Sequence, residues 1–183
     1  LGVEYLISET ALAYSIGALG YALFVASSYF RGRTVPLGFE AIGCVFVTIQ
    51  WFMLGEIVTA AINFAYIYVA VCGILLMRFS VVKYLFPLVF PFILAAYMLY
   101  GSGSLVEVLA ISASLPCLAA RYLRDMNIIR GISLSSSVMW MVVNMQGGVV
   151  AGLMCNVGYG AGHVLYFIRK YREGKAVKAL SLA

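Results

Sequence analysis

The sequence predicts an all-α integral membrane protein. Its seven transmembrane helices form two parallel three-helix repeats joined by a linker helix, a 3+1+3 arrangement. Three observations predict it. The chain has 183 residues, 64% hydrophobic and 10% charged, with a mean hydropathy of +1.02, where a soluble domain carries about 25% charge. Its Lys and Arg residues all fall on one side of a seven-span layout, and a self-match runs through it at one fixed offset. A spanning helix takes about 20 mostly apolar residues, so seven use about 140 and leave about 40 for loops and tails. That excludes a soluble catalytic domain, a Rossmann unit and a soluble DNA-binding fold.

The first apolar run covers 5–28 and ends at the basic pair Arg31 and Arg33. The second, 35–54, opens with Pro36, a good first-turn residue. The third, 57–77, stops at Arg78, and the fourth, 84–100, contains Pro87 and Pro91. Gly101-Ser102-Gly103-Ser104 reads as a turn. The fifth run, 105–122, leads into Arg121, Arg124, Asp125 and Arg130; the sixth is short, 132–146. Gln146-Gly147-Gly148 turns the chain into the seventh, 149–168. The units are thus a first repeat (1–80), a linker span (81–101), a second repeat (102–170) and a basic tail (171–183). The chain opens at Leu1 with no signal-peptide pattern of basic residues, apolar core and small-residue cleavage site.

The net charge of +5 reports orientation rather than nucleic-acid binding. With seven spans, all twelve Lys and Arg residues share a side with the C-terminus. The positive-inside rule then puts the C-terminus in the cytoplasm and the N-terminus outside, in a plasma (inner) membrane. Four cysteines (Cys44, Cys72, Cys117, Cys155) lie in apolar stretches without a CxxC pair. Neither a disulfide framework nor a metal site is expected, and no cofactor is implied.

Sliding the chain by 93 residues pairs Ala26 with Ala119, Tyr29 with Tyr122, Arg31 with Arg124 and Gly38 with Gly131. Val45 meets Val138, Gly55 meets Gly148, Asn63 meets Asn156 and Tyr66 meets Tyr159, all without a gap. Coincidence of Asn, Tyr, Arg and Gly at one offset is not what apolar low complexity produces. An odd linker makes the two triplets enter the membrane in the same direction, and such folds hold substrate near the midplane between the repeats.

Asn63 and Asn156 lie seven to eight residues into their spans, roughly 10 Å below the outer surface of a ~30 Å core. A carboxamide there must find a partner. The pair either face a solute across a central cavity or tie helices together. Trp140, in mid-span, is a stacking wall or lipid-facing filler; Tyr66 and Tyr159 share a helix face with the Asn residues. Glu9, Glu107 and Glu56 are candidate gating or proton-coupling groups. With Glu40 they are expected close enough to span ends for water to reach. His163 is expected to pack or snorkel. Pro116 can kink the fifth span and is a candidate hinge. Gly17, Gly20, Gly148, Gly152, Gly158 and Gly162 are expected to tighten packing within each triplet.

The 3+1+3 layout, the external N-terminus, the mid-span Trp140 and the repeated Asn63 and Asn156 together resemble the SWEET and SemiSWEET sugar transporters of the PQ-loop superfamily. The chain is similar in style to YgjV-type bacterial inner-membrane proteins, and nicotinamide riboside transporters share the layout. The resemblance implies a substrate pocket lined by Asn63, Asn156 and Trp140. The chain departs from that pattern at Val47, where a second Trp is expected, and at Pro116, which is followed by Cys117 rather than Gln.

The expected function is alternating-access transport of a small polar solute, a sugar or similar, with no enzymatic activity. A small-ion channel is an alternative, and a pore would be expected to show rings of charged side chains or backbone carbonyls. A non-transporting subunit of a larger complex would need a docking face, which Phe92, Tyr97 and Tyr100 could supply. An intramembrane enzyme finds no His or Lys dyad near Ser135, Ser136 or Ser137. No GxxxxGK[ST] motif supports ATP-driven pumping. Expected partners are the solute and the lipid bilayer, and a homo-oligomer is compatible with this layout.

Overall fold

The structure is a computed structural model describing residues 2–30, 32–123 and 125–180, with side chains for 9–30, 32–123 and 125–173. The expected Arg31–Arg124 match falls outside the described residues, as do the side chains of Lys175 and Lys178. Among the described residues the fold is all-helical, with seven α-helices: α1 (Gly2–Tyr29), α2 (Thr34–Met53), α3 (Ile57–Leu75), α4 (Val89–Tyr100), α5 (Leu105–Ala120), α6 (Met126–Gln146) and α7 (Val150–Leu180).

Among the described residues, five segments are long and apolar enough to cross a membrane: Glu9–Tyr29, Thr34–Met53, Ile57–Leu75, Ser80–Tyr100 and Met126–Gln146. The α5 helix is apolar but shorter. Gly, Asn156 and His163 dilute the apolar character of α7.

Three elements differ from the sequence reading. The fourth apolar run starts earlier, as two 3-10 turns, Ser80–Tyr84 and Phe86–Leu88, that feed α4. Pro87 sits at the start of the second turn and Pro91 in the first turn of α4, where a missing N–H breaks no helical bond. The α6 helix starts at Met126 rather than 132, because Asp125 caps it by accepting from the Asn127 N–H at 2.7 Å. Arg130, expected in a loop, is therefore inside a helix and 3% exposed. The α7 helix carries through the basic tail to Leu180.

Two turns set the hairpins that cross the bundle. Gly55 and Gly148 both adopt left-handed φ, +80° and +67°, which a Cβ would oppose. Around them the same bonds form. Glu56 N donates to Trp51 O at 2.9 Å, and Val149 N to Asn144 O at 2.8 Å. Leu54 N donates to Gln50 O at 3.0 Å, and Gly147 N to Val143 O at 2.9 Å. Donors and acceptors of one turn lie 93 positions from those of the other. The α5 start is held differently, by a capping box between Ser104 and Glu107.

Neighbouring helices close a ring in the order α1, α2, α3, α5, α6, α7 and back to α1. The α4 helix lies outside it, against α3. One apolar core joins α3, α4, α5 and α6 around Ile62, Val69 and Leu118; the other joins α1, α2, α3 and α7 around Tyr21, Val47, Ala60 and Cys155. Small residues allow the closest approaches. Gly20 and Gly43 let α1 and α2 meet backbone to backbone. Gly158 lies against Val25 and Gly162 against Ser28. These α7 glycines therefore pack on α1, across the ring closure, and not within the α5–α7 triplet as expected. An α1 side chain occupies the space that a Cβ there would need.

Candidate functional site

A cavity enclosing about 690 Å³ of space, its open mouth included, lies inside the ring, and every ring helix contributes to its wall. All five side chains singled out as solute-binding line it: Asn63 and Tyr66 on α3, Trp140 on α6, Asn156 and Tyr159 on α7. The wall also carries residues that the sequence reading did not select: Tyr21 and Phe24 on α1, Trp51 on α2, and Ser133 and Asn144 on α6. Their signal was present. Glu40, Val47 and Trp51 follow one helical face, as do Ser133, Trp140 and Asn144. These six residues pair at the 93-residue offset, as do Phe24 and Cys117, Asn63 and Asn156, and Tyr66 and Tyr159. Lining positions in one half thus correspond to lining positions in the other.

The two repeated Asn residues share one geometry. Asn63 Nδ2 donates to Thr59 O at 2.9 Å, and Asn156 Nδ2 donates to Gly152 O at 2.8 Å. Each bond uses one amide hydrogen, and each carboxamide retains a second hydrogen and an acceptor oxygen at the cavity wall. Asn144 Nδ2 donates to Trp140 O at 2.7 Å, while its Oδ1 is buried without a hydrogen-bond partner. Trp51 on α2 and Trp140 on α6 bring two indoles to the wall. Phe24 and Tyr159 meet edge to face, centroids 6.3 Å apart.

At the opposite end of the cavity from Trp51 lies an ion pair. Arg121 Nη2 donates to Glu40 Oε2 at 2.6 Å, and both residues are buried. Tyr159 Oη donates to Glu40 Oε1 at 3.0 Å. Arg121 also reaches Ser133 Oγ at 3.4 Å. Glu40 was expected to be within reach of water at a span end; instead it is 7% exposed, because α5 and α7 close over it. His163 is buried as well. Its ring meets Tyr159 edge to face at 4.3 Å, and its Nδ1 accepts from Arg130 Nη1 at 3.4 Å, since a guanidinium can only donate.

Two further arginines hold helix ends. Arg130 donates to the carbonyls of Ser28 (2.9 Å) and Phe30 (2.7 Å) at the end of α1. Arg33 donates to the carbonyls of Arg121 (2.7 Å) and Leu123 (2.9 Å) at the end of α5. Cations at helix C-termini meet carbonyls that have no helical partner. The two acceptor pairs are again 93 residues apart.

The remaining candidates lie away from the cavity. Glu107 is spent on the α5 cap, its carboxylate accepting from Ser102 N (2.9 Å), Gly103 N (3.0 Å) and Ser104 N (3.3 Å). Glu56 is the half-buried residue before α3, without a side-chain cap bond. Glu9 is exposed on α1, and Pro116 is exposed on the outer face of α5. Ser136 and Ser137 donate to Ala113 O and Ser133 O, at 2.7 and 2.8 Å. Among the described residues no group of His, Cys, Asp and Glu is placed to hold a metal ion. No family model, curated protein or solved structure matches this chain.

Proposed function

We propose that the chain is a membrane transporter, in which two triple-helix bundles alternate access to a small polar solute held in the central cavity. One observation carries the reading. The cavity wall is built from all six ring helices, with lining residues of α1–α3 paired to those of α5–α7 at one offset. The ring order supports a parallel 3+1+3 repeat: shifting each helix to its counterpart reproduces the same neighbours, and α4 remains outside as the linker. The matched Gly55 and Gly148 turns support it too. Seven spans with the N-terminus outside and the C-terminus in the cytoplasm follow from the placement of the basic residues.

The chemistry of the wall selects the solute class. Its formal charges, Glu40 and Arg121, cancel within the pair. Three carboxamides and two indoles then suit an uncharged molecule with several hydroxyl or amide groups and a flat face, a sugar or a similar ring. Asn63, Asn156 and Asn144 hydrogen-bond the solute; Trp140 and Trp51 stack on it; Tyr66 and Tyr159 shape the wall.

The test is ligand-dependent thermal stabilisation of the purified protein across sugars, nucleosides, amino acids and vitamins. A ligand at 100 times its dissociation constant stabilises by about 2.7 kcal/mol. An uncharged polar hit that disappears in Asn156→Ala supports the reading. A flat panel on a stable protein contradicts it and favours the subunit alternative.

A further inference from the structure

The basic end of the bundle holds a second, smaller cavity, about 350 Å³ of space with its open mouth included, and it shares two lining residues with the central one, Glu40 and Arg121. The ion pair is thus a wall between two chambers. We propose that it is the gate through which solute passes between the central chamber and the basic end, an inference that rests on the transporter reading above.

The pair spans the ring. Glu40 is on α2 and Arg121 ends α5, helices that are not adjacent in the ring order. Tyr159, on α7, fixes the second carboxylate oxygen. The same end is tied by two matched clamps, and each again crosses between the halves. Arg33, at the start of α2, holds the end of α5; Arg130, on α6, holds the end of α1. Every one of these bonds must part if the halves separate at this end, and none needs to part if they separate at the other.

An ion pair suits a lock that must open. Closed, it is desolvated, and its Coulomb attraction is offset by the cost of removing two charges from water. Open, each charge regains water entering from the basic end. The difference between the two states is therefore small beside either term alone.

Cys117 supplies the readout. It lines the central chamber one helical turn before Arg121. The protein carries Cys44→Ala, Cys72→Ala and Cys155→Ala, leaving Cys117, and is placed in sealed membrane vesicles of each orientation. A membrane-impermeant charged maleimide is the probe, and labelling in detergent after denaturation gives the total thiol. The gate predicts slow labelling from the basic end in the parent. It predicts a rise of about tenfold from that side alone in Glu40→Gln, which leaves Arg121 an unpaired charge that regains water only when this end opens, and a rate near the parent's in Glu40→Gln/Arg121→Met. The charge-reversed pair Glu40→Arg/Arg121→Glu returns the rate toward the parent's and gives a second reading if the first variant does not fold. An unchanged rate in monodisperse Glu40→Gln, or a rise only from the other side, overturns the gate. No solute is needed. A flat ligand panel would sink the transporter reading and leave the labelling result intact, and unchanged labelling would sink the gate while a ligand hit stood.

Discussion

Glu40 is the buried counter-charge of Arg121. Two hydrogen-bonded neighbours from other helices hold its buried carboxylate. Glu40→Gln leaves the Arg121 guanidinium buried without its counter-charge, so we expect a loss of about 3–5 kcal/mol in a denaturant melt in detergent. Glu40→Gln/Arg121→Met should recover most of it, since no uncompensated charge then remains. Equal losses in single and double variants would mean that the pair stabilises by more than mutual compensation. The sequence exposed the two Asn residues, because a carboxamide inside an apolar span is conspicuous. It concealed the ion pair. Glu40 and Arg121 are 81 positions apart, both lie near span ends, and local periodicity is silent on which ends meet.

At the scale of elements, the two turns that repeat each other make a matched prediction. Gly55 and Gly148 occupy left-handed backbone. Gly55→Ala and Gly148→Ala should each cost about 1 kcal/mol or more, and by similar amounts, because both place a Cβ where φ opposes it. Ser104→Ala should cost about 1 kcal/mol by removing the oxygen that accepts from the Glu107 N–H at 3.3 Å. Thermal melts in one detergent check all three. Most helices were legible from apolar runs and turn residues. The start of α6 was not: a charged Arg130 looks like loop chemistry, and only the tertiary carbonyls of Ser28 and Phe30 make it a buried helical residue. The tail behaved similarly, since its charge density hides a helix that continues α7 to Leu180.

At the scale of the whole molecule, the ring closes where α7 meets α1. Gly158 and Gly162 make that seam. Gly162→Leu drives a side chain into Ser28, and we expect loss of the monodisperse species in size-exclusion chromatography; the same change at Gly131, which faces open space, should be tolerated. The ring order was not readable from the chain, because glycine spacing marks a close approach without naming the partner. The self-match at 93 residues was readable, and its register points to the same cavity positions that the fold brings together. Function turns on whether the cavity moves a solute. The measurement that decides it is time-resolved exchange of the strongest stabilising ligand across sealed proteoliposomes, with Asn156→Ala alongside. Saturable, trans-stimulated exchange that falls at least about tenfold in the variant is the predicted result, the loss of about 1.4 kcal/mol of interaction. A ligand that binds in the cavity yet never crosses, at the same rate as in protein-free liposomes, would contradict it.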